Sequence, residues 1–208
     1  LINLRMYKEN MEQYYCYEEI FVGLNMANFF KLIKSIENND MLTLYVEKNE
    51  IYTLGIIINN AEKNRSTSFK LKLLDLDQKK IEVPSTEFKN VITLPSTDFQ
   101  RICRDMQNIG DTVVIENYGS HINLICEGDF AQQSTTIHGI NKEVTTPCNE
   151  SDVVSGKFSL KHLCLFTRCT SLCNTVEIYL KNDYPLLIKY SIANLGRCFF
   201  VLCNSTEE

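Results

Sequence analysis

An amphipathic helix that runs straight into a β-hairpin occurs three times along the chain, and that repetition constrains the fold most. The units span residues 26 to 58, 96 to 126 and 159 to 192. Phe29 recurs as Phe99 after 70 residues, and a similar apolar position returns near Leu163. Repetition on this scale points to one supersecondary element copied to build a larger symmetric surface. Elsewhere β-formers alternate or cluster at residues 1 to 6, 14 to 24, 41 to 47, 51 to 58 and 66 to 73. The pattern returns at 89 to 94, 112 to 117, 121 to 126, 133 to 139, 153 to 158, 175 to 181, 185 to 191 and 197 to 203. Turn signals separate these runs, and Asn39-Asp40, Gly110-Asp111 and Cys173-Asn174 each fall between a helix end and the next strand. The expected class is α+β, with helices packed on one side of antiparallel sheets.

Each helix has an apolar and a basic face. In the first, Phe29, Leu32, Ile33 and Ile36 share the inner stripe, which leaves Lys31 and Lys34 outward at i, i+3. In the second, Phe99, Ile102, Cys103 and Met106 face inward while Arg101, Arg104 and Asn108 lie opposite. In the third, Leu160, Leu163, Cys164 and Phe166 bury, leaving Lys161, His162 and Arg168 outside. Ser96 and Ser159 stand where N-caps of the second and third helices belong. A basic face on one helix is an ordinary solvated surface. Three such faces in a chain of net charge −5, with the acids concentrated elsewhere, mark a surface suited to phosphates.

Composition narrows the alternatives. With 208 residues the chain suits one large domain or two of ordinary size, and 44% hydrophobic with 23% charged residues is globular composition. No apolar run approaches the roughly 18 residues needed to cross a bilayer. LINLRMYKEN lacks the apolar segment of a signal peptide and reads as a strand, so the chain is expected to begin inside a domain. Nine cysteines without a CxxC pair indicate free thiols in a reducing compartment. Cys103 and Cys164 sit among apolar helix residues where cysteine packs as a small hydrophobe, so zinc beside His162 is disfavoured. Neither a Gly-rich phosphate loop nor GxSxG nor HExxH occurs, and His121, His138 and His162 fall in different units. Cys164 and Cys169 could be paired with His162 as nucleophile and base only on paper. His162 and Cys164 are two apart on a helix and point to different sides. An enzyme is not expected, nor a cofactor.

The most specific segment is residues 68 to 115. Leu73-Leu74-Asp75-Leu76-Asp77 is followed by Ile81, Val83 and Pro84, then by Pro95-Ser96, Phe99, Arg101-Ile102-Cys103-Arg104-Asp105 and Ile109-Gly110-Asp111. Gly128, Tyr184-Pro185-Leu186 and Ile192-Ala193-Asn194-Leu195-Gly196 extend the match. Together these residues resemble the eukaryotic-type DNA sliding clamps, the proliferating cell nuclear antigen family, over essentially the whole chain.

The resemblance implies two similar domains, each of two helix-plus-sheet repeats, with three subunits closing a ring around duplex DNA. Residues 1 to 73 would form an amino-terminal clamp domain lacking its first repeat, 74 to 89 the connecting loop and 90 to 208 the carboxy-terminal clamp domain. Lys31, Lys34, Arg101, Arg104, Lys161 and Arg168 match basic positions that line the hole; His162 is a weaker candidate. Encirclement needs phosphate contacts and no base readout. Edge strands at residues 65 to 73 and 130 to 138 would join subunits, with Phe69, Leu71 and Phe130 as apolar anchors. Ile81, Val83, Pro84, Tyr184 and Pro185 match a pocket for client peptides, and Phe88 closes the loop's far end. On their own, Phe69 and Phe130 also suit ordinary core positions, and the loop residues a simple tether.

What the resemblance implies is therefore a non-enzymatic homotrimeric processivity factor for DNA replication and repair. Its partners would be DNA, DNA polymerase, a clamp loader and other peptide-bearing clients, with no membrane, in the nucleus or at a viral replication site. The sequence departs from the family in two places. Cys203-Asn204 replaces an Ala-Pro at the pocket edge, and Gly119 replaces the lysine that takes ubiquitin-type modifiers. Both departures lean towards a large DNA virus as the source. A checkpoint-type subunit of a hetero-trimer and a clamp-derived scaffold that no longer encircles DNA stand as alternatives.

Overall fold

The computed structural model describes residues 1–76, 88, 91–138 and 153–205. The chain divides into two compact units, one made of Leu1–Tyr14 with Ser85–Glu208 and the other of Tyr15–Pro84. Among the described residues no helix is long and apolar enough to cross a membrane.

The Tyr15–Pro84 unit holds helix α1 (Met26–Ile33) and strands β2 (Asp40–Tyr45), β3 (Thr53–Asn60) and β4 (Arg65–Lys72) in one antiparallel sheet, order β2-β3-β4. β3 is central because its β-branched run satisfies a strand buried on its inner face. Leu54, Ile56 and Ile58 form the buried core, and Phe29, Leu32, Ile33 and Ile36 pack on them from the helix side. Asn25 caps α1 by accepting the Asn28 N–H at 3.0 Å.

The alternation at residues 14 to 24 does not make a strand. Gly23 forms an isolated bridge to Leu74, while Tyr15 and Tyr17 lie exposed. Alternation sets two faces, yet a strand also needs a neighbour for its backbone donors and acceptors.

The larger unit contains two sheets under two helices. β6 (Thr112–Asn117), β7 (His121–Glu127), β8 (Gln132–His138) and β9 (Val154–Ser159) form the sheet β8-β7-β6-β9. β1 (Ile2–Met6), β5 (Val91–Pro95), β10 (Thr175–Tyr179), β11 (Leu186–Ile192) and β12 (Gly196–Leu202) form the sheet β1-β12-β11-β10-β5. β1 lies antiparallel on β12, with Ile2 opposite Phe200 and Leu4 opposite Cys198. Helices α2 (Ser96–Gln107) and α3 (Leu160–Phe166) cover the inner faces, and α3 tightens into a 3-10 stretch, Thr167–Leu172. The third helix is therefore shorter than its apolar pattern implied. One continuous core joins both sheets and both helices, with Phe99, Met106, Phe158, Leu163 and Tyr190 among its fully buried side chains.

Ser96 and Ser159 do not cap. Pro95 occupies the N-cap position of α2 and no side-chain cap bond forms at Ser159. Ser96 is instead the first residue of α2, fully buried, and its hydroxyl donates to the Cys173 carbonyl.

Candidate nucleic-acid interface and docking surfaces

The basic positions are set by helix periodicity against the core. Burying Phe29 and Leu32 turns Lys31 outward, and Lys34 follows as the C-cap, its N–H still bonded to the Phe30 carbonyl. On α2, burial of Phe99, Cys103 and Met106 leaves Arg101 and Arg104 exposed. Lys161 is exposed on α3, and Arg168 is exposed on the 3-10 stretch, not on α3 itself. Within the larger unit α2 packs against both α3 and this stretch. Gln100 fixes the crossing by donating its amide to the Thr167 carbonyl at 2.7 Å.

Charge on these faces is largely uncommitted. Arg101 pairs with Asp98 at 3.2 Å, an exposed i, i+3 contact worth little in water. Among the described residues Lys31, Lys34, Arg104, Lys161 and Arg168 make no ion pair. Ion pairs elsewhere among the described residues include Lys70 to Glu50 at 2.7 Å and Lys189 to Glu177 at 3.0 Å. His162 is exposed too, but it borders a cavity of about 560 Å³ with Leu165, Phe166 and Phe200.

The docking candidates converge in part. Ile81, Val83 and Pro84 lie outside the described residues. Phe88 meets Tyr179 edge-on at 5.3 Å and Tyr184 edge-on at 5.8 Å, with Pro185 half-buried beside Tyr184. Edge-to-face geometry suits the ring quadrupoles and holds the three rings together. Tyr179 was not foreseen. Its hydroxyl donates to Glu177 at 2.5 Å, and Lys189 donates to both Glu177 oxygens at 3.0 Å. Burial first, then the Glu177 bond, pushes the Tyr179 hydroxyl well above the usual phenol range. The only available signal was its outward place in the strand alternation, beside Glu177.

The expected subunit anchors differ in setting. β4 is an outer strand of its sheet, and Phe69 and Leu71 already pack on the Leu54, Ile56 and Ile58 core. β8 is an outer strand as well, and Phe130, just before it, is 77% exposed.

The thiols behave as packing groups. Burial raises the thiols of Cys103, Cys164 and Cys169, and raises Cys198 to about 11. Cys164 packs against the core while His162 points outward, so this pair does not form a nucleophile and base. Among the described residues no three His, Cys, Asp or Glu side chains gather to hold a metal.

Comparison with known proteins agrees over both halves. Residues 1–80 match the family described as proliferating cell nuclear antigen, N-terminal domain, and residues 82–205 match its C-terminal domain. The probable DNA polymerase sliding clamp 1 of Paramecium bursaria Chlorella virus 1 is 38% identical over 207 residues, covering 97% of this chain and 78% of that protein. The proliferating cell nuclear antigen of Chaetomium thermophilum is 33% identical over 208 residues, covering 97% of this chain and 79% of that protein. Helices with outward basic faces over antiparallel sheets, matched along both halves of the sequence, make this chain a member of the proliferating cell nuclear antigen family of DNA sliding clamps.

Proposed function

We propose that this sliding clamp acts as a homotrimeric ring that encircles duplex DNA and tethers DNA polymerase and other clients without catalysing any reaction itself. The observation that carries the reading is the basic charge of Lys31, Lys34, Arg104, Lys161 and Arg168, without an ion pair among the described residues and outward on helical segments of an acidic chain. Such charge tolerates passing phosphates and reads no base, as sliding requires.

Ring closure in this proposal uses the outer strands β4 and β8 of neighbouring subunits. Its support is that β4 and β8 are each the outer strand of their sheet among the described residues. Phe69, Leu71 and Phe130 would bury along the seam. On the same reading residues 1–73 are the amino-terminal clamp domain, 74–89 the connecting loop and 90–208 the carboxy-terminal domain. β1 would then belong to the first domain while pairing with the second. Client peptides would dock at Phe88, Tyr184 and Pro185, and the sequence match assigns Ile81, Val83 and Pro84 the same role. A clamp loader would place the ring, and its site of action would be the nucleus or a viral replication site.

Light scattering on the purified protein tests this directly. A single trimeric species that stays on closed circular DNA and is shed on linearisation is expected. A monomer or dimer at micromolar concentration overturns the homotrimer and leaves a hetero-trimeric subunit or a non-encircling scaffold.

A further inference from the structure

Clamp function as proposed makes no use of two histidines on the outward face of the β8-β7-β6-β9 sheet. His121 and His138 stand directly opposite one another on the antiparallel strands β7 and β8. Opposed residues of an antiparallel pair project to one side. The core side of β7 is filled by Ile122, Leu124 and Cys126, so both imidazoles stand outward. Their ring centres are 5.4 Å apart and tilted by 36°.

We propose that His121 and His138 form a two-imidazole site for a late first-row divalent transition metal, with Zn²⁺ as the representative. Two imidazoles bound at ~2.1 Å to one tetrahedral Zn²⁺ place their ring centres roughly 5 Å apart. The observed separation therefore needs only small side-chain rotation. Imidazole nitrogen is the ligand that zinc, copper and nickel share.

The hairpin turn holds one ligand in place. Asn117 Oδ1 accepts the Gly119 N–H at 2.8 Å, and Gly119 takes φ 82°, which folds the turn back on itself. The Tyr118 N–H donates to the His121 carbonyl at 3.0 Å. This lays the Tyr118 ring flat on the His121 ring, 4.7 Å between centres and 3° between planes. Tyr118 is fixed in turn by its hydroxyl, which donates to Glu116 at 3.0 Å. The Ser120 hydroxyl engages His121 Nδ1 at 3.1 Å and leaves Nε2 for the metal. A hydrogen bond on the second ring nitrogen is the usual support of a metal-ligating histidine.

Among the described residues no third His, Cys, Asp or Glu joins the pair, and water can complete the coordination. The site is thus an exchangeable one that clips β8 to β7, and it differs from a closed structural zinc centre. It depends on neither ring closure nor DNA.

Zn²⁺ titration of the full chain, followed by the imidazole NMR signals, tests the site. Cys16 and Cys203, which are exposed, and Cys148, which lies outside the described residues, are changed to Ser beforehand so that these thiols do not compete. The His121 and His138 signals should move together along one saturation curve, with His162 unmoved. His121→Gln and His138→Gln should each weaken binding at least tenfold while the β6–β8 amide spectrum is kept. Acidification should release the metal, since protons and Zn²⁺ compete for the same nitrogens. Separate titration of the two rings, or unchanged affinity in either single variant, would overturn the proposal.

Discussion

The hydroxyl of Ser96 donates to the carbonyl of Cys173 at 2.6 Å, tying the first turn of α2 to the loop that enters β10. The same residue's N–H donates to the Asn174 carbonyl at 2.8 Å, and Thr170 donates to its carbonyl at 3.3 Å. Ser96 is thus a buried tether between α2 and the segment after α3. Ser96→Ala leaves the Cys173 carbonyl without this donor and should destabilise by about 1–2 kcal/mol in urea unfolding. The discriminating variant is Ser96→Asp. A capping site would welcome a carboxylate, whereas this site needs a donor, so Asp should be worse than Ala.

Gly128 makes a closer approach than any side chain would allow. A Cβ there would fall 1.7 Å from the Ile109 carbonyl oxygen, which is backbone and cannot rotate away. Gly128→Ala should destabilise by about 3 kcal/mol through overpacking, read as a lower urea midpoint. An unchanged midpoint would show that the loop after β7 shifts freely.

Asp40 gives the smaller unit an acid-sensitive joint. The Glu37 N–H donates to its Oδ2 at 2.9 Å and the Asn60 amide to its Oδ1 at 2.6 Å. The backbone bond from Glu37 holds its carboxyl below the usual range; desolvation opposes it as the next largest effect, and Asn60 with the charges of Arg65 and Lys63 adds smaller support. A depressed carboxylate contributes stability that is present above its unfolded value, about 3.9, and is lost as pH falls through the folded one. Urea midpoints measured from pH 5 down to pH 2 should therefore fall less steeply in Asp40→Asn than in the parent. Identical slopes would remove Asp40 from the acid response.

The helix stripes were legible because a 3.6-residue period needs no knowledge of neighbours. Phe99, Cys103 and Met106 bury as the spacing required, and Arg101 and Arg104 turn out as a consequence. Partner choice was not legible. Residues 14 to 24 alternate well, yet among the described residues they gain no strand neighbour apart from the Gly23–Leu74 bridge. Glu177 and Lys189 meet because β10 and β11 pair in a register that places them opposite, and His121 meets His138 in the same way. Register depends on turn geometry and the packing of both faces, so side-chain pairs across strands escape a reading of single segments.

Phe130 and Phe69 separate assembly from folding. Phe130 is exposed in one subunit, so Phe130→Ser should leave the fold intact by circular dichroism. If β8 forms the seam, the same variant should weaken trimer association at least tenfold in sedimentation. Phe69 also packs on Leu54, Ile56 and Ile58, so Phe69→Ala should lose both association and about 2 kcal/mol of folding stability. A Phe130→Ser protein that assembles normally would place the seam elsewhere.

The basic helix faces make a prediction in salt rather than in sequence. Removing a phosphate contact lowers the slope of log affinity against log salt by ~0.9 per contact on duplex DNA. Arg104→Ala, Lys161→Ala and Arg168→Ala should each flatten the slope by about this amount and weaken binding equally on unrelated sequences. Arg101→Ala should flatten it less, because Asp98 at 3.2 Å already holds part of that charge. The measurement is binding to circular duplexes of two sequences across a salt series. Equal slopes for all four variants and the parent would take DNA off these faces. A loss confined to one sequence would point to base readout, which a sliding ring has no use for.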